Sequence, residues 1–124
     1  MNYTCADVMF VFDLTGSMTF ELSHAQTNAN AIMDSLKSSI PDIRFGVASH
    51  ADYPSYYSYC GYSATYGSSS SGDFPYNLDR PLTYDTALVR STINSLYIRY
   101  GGDGPEDYAR VLWEMLNDPA IGWR

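Results

Sequence analysis

Basic residues are scarce in this chain. Seven lysines and arginines stand against fourteen acids, which leaves a formal charge of −7 at pH 7. A surface so poor in cations offers little to the phosphates of nucleic acid or to anionic lipid headgroups. The same imbalance suits the capture of a cation. Long apolar runs are also missing, and none reaches the roughly 20 residues a bilayer span needs. The N-terminus lacks the basic region and apolar stretch of a secretion signal. Cysteine is limited to Cys5 and Cys60. Cys5 is expected at the start of the first strand and Cys60 in a loop past the end of the second. Those are opposite ends of a parallel sheet, so two free thiols are expected. Extracellular and cytoplasmic locations both stay open. Neither histidine nor any cysteine is placed by a motif as a nucleophile or general base.

What is present is enough for a core. The 124 residues are 45% apolar, and the length implies one domain, residues 1–124. Tyrosine is abundant, with twelve copies. Tyr53, Tyr56, Tyr57, Tyr59, Tyr62 and Tyr66 crowd one segment. Such a segment either packs on itself or forms a recognition surface, because tyrosine gives large contact area at low entropic cost.

The pattern along the chain alternates strand and helix. A first strand is expected over about Asp7 to Asp13, apolar on both faces as in a parallel sheet. A helix follows from about Phe20 to Ser39. Leu22, Ala25, Ala29, Ile32, Met33, Leu36 and Ile40 make its inward stripe, and Pro41 stops it. His24 reads as a surface residue of that helix. A second strand is expected over about Ile43 to Ser49, joined to the first by a parallel crossover. His50 and Asp52 then read as the start of a solvated loop at the same sheet end as Asp13. Asp52 could alternatively accept a hydrogen bond near a cation. A long loop leads to a proline-marked edge strand between Phe74 and Leu82. Thr83 reads as the cap of a second helix with Asp85 in its first turn. Ala87, Leu88, Val89, Ile93, Leu96 and Tyr97 form its inward stripe. A third helix runs to about Asn117, with Ala109, Leu112, Trp113 and Leu116 inward.

Two polar stretches carry the chemistry. The first is Asp13-Leu14-Thr15-Gly16-Ser17-Met18, directly after the apolar run Val8–Phe12. One carboxylate and two hydroxyls at alternating positions suit a hard divalent cation. A plainer alternative has Thr15, Ser17 or Thr19 capping the helix. The second is Gly101-Gly102-Asp103-Gly104-Pro105-Glu106-Asp107, where Asp103 and Glu106 also make a good capping box.

Both stretches, in this order, resemble the metal-ion-dependent adhesion site of the von Willebrand factor A (integrin I-like) family. The first resembles its Asp-x-Ser/Thr-x-Ser motif. The second resembles the metal loop of the branch that includes the integrin β I-like domain. Arg44-Phe45-Gly46-Val47, Asp52-Tyr53-Pro54, Phe74-Pro75-Tyr76, Asp79 and Pro81-Leu82-Thr83 follow the order of bacterial-type members. The resemblance implies an α/β, Rossmann-like three-layer fold, here its N-terminal portion with about three strands and three helices. It implies metal ligation by Asp13, Thr15 and Ser17, with Glu106 from the second loop. Asp103 would bind the same ion or a neighbouring one. The ion would be Mg²⁺, or Ca²⁺ or Mn²⁺. The implied function is adhesion-type protein binding, with the metal bridging to a partner's carboxylate, and not catalysis. The family continues with a further central strand and a third metal loop, whereas this sequence stops at Asp118–Arg124. A C-terminally incomplete domain is therefore expected. Its apolar first strand would be left as an edge open to self-association or to completion by another chain.

Two rivals remain. Asp13-Leu14-Thr15-Gly16-Ser17-Met18-Thr19 also looks like the phosphorylation motif of the haloacid dehalogenase superfamily, with Asp13 as nucleophile and Mg²⁺ as partner. Leu14 and Thr15 depart from that motif. The segment Ser91 to Tyr100, expected to be helical, departs from the buried strand that superfamily has before its Gly-Asp-Gly loop. The other rival is a metal-free scaffold in which both motifs serve only as caps.

Overall fold

Asp42–His50 becomes the middle strand of a three-stranded sheet, and its run of small and apolar residues is buried along most of its length. The computed structural model describes residues 4–53, 72–99 and 108–124. The strands are β1 (Cys5–Asp13), β2 (Asp42–His50) and β3 (Asn77–Thr83). The helices are α1 (Leu22–Ser39), α2 (Thr86–Ser95) and α3 (Tyr108–Asn117). Short 3₁₀ turns cover Gly16–Met18 and Pro119–Ile121. β1 runs parallel to β2, as the intervening helix requires, and β3 runs antiparallel. The chain is thus mixed α/β with a mixed sheet in the order β1-β2-β3.

Strand alternation sorts the side chains into two faces. Val8, Phe10 and Phe12 share one face with their register partners Phe45, Val47 and Ser49. Leu22, Ala29 and Met33 of α1, with Val89 and Ile93 of α2, close that face into one core. Phe10 and Phe45 stack there with ring centroids 5.9 Å apart. Burying a side chain such as Phe45 or Met33 contributes about 1.5–3 kcal/mol. The two helices are stitched together by Gln26, whose Nε2 donates to the carbonyls of Ile93 and Leu96 at 2.9 and 3.1 Å. On the other face the partners are Asp7 with Arg44, Met9 with Gly46, Val11 with Ala48 and Asp13 with His50. Gly46 is needed there: a Cβ would collide with the Met9 sulfur and lie 2.8 Å from the Arg80 carbonyl oxygen.

The lower end of this second face is held by charge. Arg44 grips the Asp7 carboxylate through Nε at 2.9 Å and Nη2 at 2.7 Å. Arg124 adds its backbone N–H at 3.0 Å and an Nη2 contact at 2.9 Å, while its Nη1 reaches Asp42 at 2.8 Å. The paired side chain of Arg44 pulls the Asp7 pKa down to about 2, against the opposing effect of burial and with further help from Arg124.

Several sequence expectations shift in the folded chain. α1 starts at Leu22, and Thr15, Ser17 and Thr19 do not cap it: Glu21 holds the cap position without a side-chain bond. Ile32 is half-exposed beside β1, whereas Leu22, Ala29 and Met33 are buried. β3 starts at Asn77, later than the Phe74 expected, and carries Pro81 exposed on its edge. Asp85, not Thr83, caps α2, accepting from the N–H groups of Ala87 and Leu88 at 3.1 Å each. Thr83 lies two residues earlier and accepts from the Asp85 N–H through its hydroxyl. α2 also ends sooner, at Ser95: Leu96 turns to extended backbone, and Gln26 donates to the carbonyls of Ile93 and Leu96 there. Of the stripe expected on α2, Ala87, Leu88 and Tyr97 are exposed, whereas Val89 and Ile93 are buried. α3 docks on a different stripe from the one expected. Val111 is 3% exposed, whereas Leu112 is 66% and Leu116 is 84% exposed, and Ala109 and Trp113 also face out. Cys5 is a free, exposed thiol, as expected for that residue; Cys60 and five of the six clustered tyrosines lie outside the described residues. No helix among the described residues is long and apolar enough to cross a membrane.

Candidate metal centre at the carboxyl end of β1

Asp13 is the last residue of β1, paired in register with His50, the last of β2. Leu14 follows and is 1% exposed. Its N–H donates to the His50 carbonyl at 2.8 Å, and its carbonyl accepts from the Arg99 N–H at 2.7 Å. The buried leucine therefore anchors the turn and leaves Asp13 and Thr15 on either side of it.

The turn folds its oxygens together. Asp13 Oδ1 accepts from the Thr15 N–H at 2.9 Å and from the Thr15 hydroxyl at 2.5 Å. The hydroxyls of Thr15 and Ser17 lie 3.3 Å apart. Thr19 bonds back to the Gly16 carbonyl and takes no part. One carboxylate and two hydroxyls thus form a contiguous oxygen set, the donor type hard cations prefer.

The second carboxylate oxygen has another partner. Tyr108, the first residue of α3, donates its hydroxyl to Asp13 Oδ2 at 2.6 Å. Its ring also meets His50 edge-on, with centroids 5.1 Å apart. Burial alone would push the Asp13 pKa up. The hydrogen bonds from the Thr15 hydroxyl, the Tyr108 hydroxyl and the Thr15 N–H, with the nearby His50, outweigh it and hold the pKa below the usual carboxylate value. The group is ionised at neutral pH.

His50 corrects the sequence reading. It is 2% exposed and not the start of a solvated loop. Asp52 is likewise buried, with its Oδ1 accepting from the Tyr53 N–H at 2.7 Å. His24 lies on the exposed surface of α1, 3.8 Å from Glu21, in line with the sequence expectation. Asp103 and Glu106 lie outside the described residues, as does the Gly-rich loop that carries them. Among the described residues no three His, Cys, Asp or Glu side chains gather at one point. Sequence reasoning placed His50 at this sheet end but not buried, and it missed Tyr108 and the Leu14 anchor.

No protein-family model and no curated protein matches this chain.

Proposed function

We propose that this chain is a von Willebrand factor A-like, divalent-cation-dependent protein-binding module of the adhesion type. The observation that carries the reading is the contiguous oxygen set of Asp13, Thr15 and Ser17 at the carboxyl end of β1. Ligands of open α/β sheets gather beyond such strand ends. The helices support the fold reading too. α1 and α2 cover the sheet face of Phe45 and Val47, and α3 lies against the face of Val11, Asp13 and His50.

In this reading Asp13, Thr15 and Ser17 hold the ion, Mg²⁺ or alternatively Ca²⁺ or Mn²⁺, with Glu106 and Asp103 offered from the second loop. When bound, the ion supplies a positive centre for a carboxylate of the protein partner. The hydroxyls of Thr15 and Ser17 are neutral ligands and leave that charge largely uncompensated. The ionised Asp13 fixes the position, and the Thr15 N–H and hydroxyl orient its carboxylate. Nothing in this proposal requires a catalytic residue.

Titration calorimetry with Mg²⁺, Mn²⁺ and Ca²⁺ tests the site, and Ser17→Ala should weaken the response while the fold persists. No heat and no thermal shift at millimolar ion would reject it. Partner binding should disappear in EDTA and return with added cation. Identical partner sets under both conditions would refute the metal-bridged mechanism.

The outer edge of β1 belongs to the same proposal. Among the described residues no strand pairs along it, and Val11, Ile32 and Leu112 expose apolar surface on that side. An edge of this kind offers backbone donors and acceptors to a strand from another chain or from a second copy. A monomer that stays soluble across a wide concentration range in sedimentation would count against it.

A further inference from the structure

A cleft of about 390 Å³ lies behind the Asp13 turn, between the upper ends of β2 and β3 and the chain leaving α2. Its walls include Ser49, Asp79, Arg99, Tyr97 and the buried Leu14. The volume falls in the range of small-molecule sites. Three polar atoms in these walls are buried without a hydrogen-bond partner among the described residues: Ser49 Oγ, Asp79 Oδ2 and Arg99 Nε. Ser49 itself is fully buried. Buried polar atoms are almost always satisfied, so three orphans around one cleft call for a reason.

Charge narrows the reason. Asp79 uses Oδ1 to accept from the Asn77 amide at 2.7 Å and forms no ion pair among the described residues. Arg99 is held in place by rings. Its guanidinium carbon lies 3.8 Å from the Tyr97 ring centroid and 5.4 Å from that of Phe74, and Nη1 donates to the Tyr97 hydroxyl. It too forms no ion pair among the described residues. An anion and a cation therefore share one cleft without neutralising each other. Water can satisfy the hydrogen bonds but brings no charge. A simple ion answers one group and leaves the other. A small molecule carrying both an ammonium and a carboxylate answers both, and the Ser49 hydroxyl can bond either end.

We propose that this cleft binds a small zwitterion of the free amino-acid class, its ammonium on Asp79 and its carboxylate on Arg99. Leu14 and Leu96 give the ligand's side chain an apolar wall. The site is separate from the cation site and needs no metal.

The test is calorimetry or amide chemical-shift titration with each of the common free L-amino acids, in EDTA. At least one should bind saturably. Its N-acetyl and methyl-ester forms should each bind about tenfold more weakly or worse, since each cap deletes one charge. Asp79→Asn and Arg99→Gln should weaken binding by a similar factor, with circular dichroism reporting the fold. The capped ligands keep the test decisive even if a variant misfolds. No saturable binding by any amino acid at millimolar concentration would overturn the proposal and leave the cleft to water. Equal binding of free and capped forms, or binding that requires a divalent ion, would overturn it as well.

Discussion

Replacing Asp7 by asparagine tests the charged clamp at the lower end of β1 and β2. The carboxylate accepts from Arg44 Nε and Nη2 and from Arg124, and its side chain is 8% exposed. Its pKa falls from the usual 3.8 to about 2, chiefly through Arg44. Taken at face value that fall corresponds to at most roughly 2.5 kcal/mol. The guanidinium of Arg124 is partly in water, so screening reduces the figure to about 1–1.5 kcal/mol. A group whose folded pKa is lowered stabilises above its unfolded pKa and stops doing so as pH falls through the folded value. The contribution is thus complete above about pH 4 and fades toward about pH 2. Urea unfolding followed by tryptophan fluorescence is the assay. Trp123 adjoins Arg124 and donates its indole N–H to the Met115 carbonyl, so it reports on this corner. Wild type should exceed Asp7→Asn by about 1–1.5 kcal/mol at neutral pH, and the gap should close as the pH nears 2. A gap that is unchanged at low pH, or absent at neutral pH, would show that the Arg44 and Arg124 contacts do not act through the Asp7 charge.

Further expectations concern the core and the turn. Gly46→Ala should cost at least about 2 kcal/mol in chemical denaturation, because the added methyl meets the Arg80 carbonyl oxygen as well as Met9. Adding Met9→Ala should recover only part of that loss, since the backbone contact remains. Phe45→Ala, at a fully buried position stacked on Phe10, should cost about 3–5 kcal/mol by the same assay. Tyr108→Phe deletes the donor to Asp13 Oδ2, so the Asp13 pKa should rise toward the usual value in a carboxyl-carbon NMR titration. The released oxygen should also raise Mg²⁺ affinity; weaker binding would count against competition between Tyr108 and the ion.

The β1-turn-α1-β2 half of the fold was readable because its signals are local. An apolar run stops at Asp13, helical spacing begins soon after, and Pro41 closes it. What stayed hidden depends on contacts far apart in sequence. A histidine ending a strand looks the same as one starting a loop, and only Tyr108, 95 residues beyond Asp13, reveals that this corner is covered. α3 has apolar residues on more than one stripe, so periodicity alone could not choose Val111 over Leu112 and Leu116. Leu96 and Tyr97 continue the helical spacing of α2, but Leu96 is extended, and a contact 70 residues away, the Gln26 amide from α1, holds its carbonyl. In the candidate centre, the sequence grouped Asp13, Thr15 and Ser17 correctly as neighbours. It gave no hint of the tyrosine on the second carboxylate oxygen.

The double tether of Leu14 has a consequence for how fast anything could dock on this turn. With its amide bound to His50 and its carbonyl bound to Arg99, the residue between Asp13 and Thr15 has no slack to give. A partner of the proposed kind would meet a turn whose shape is set before contact, so little ordering entropy would be lost there on association. Docking should then behave as a rigid encounter, governed by collision and orientation and not by a slow rearrangement of the loop. Rapid-mixing traces should rise in a single phase, with a rate that stays linear in partner concentration.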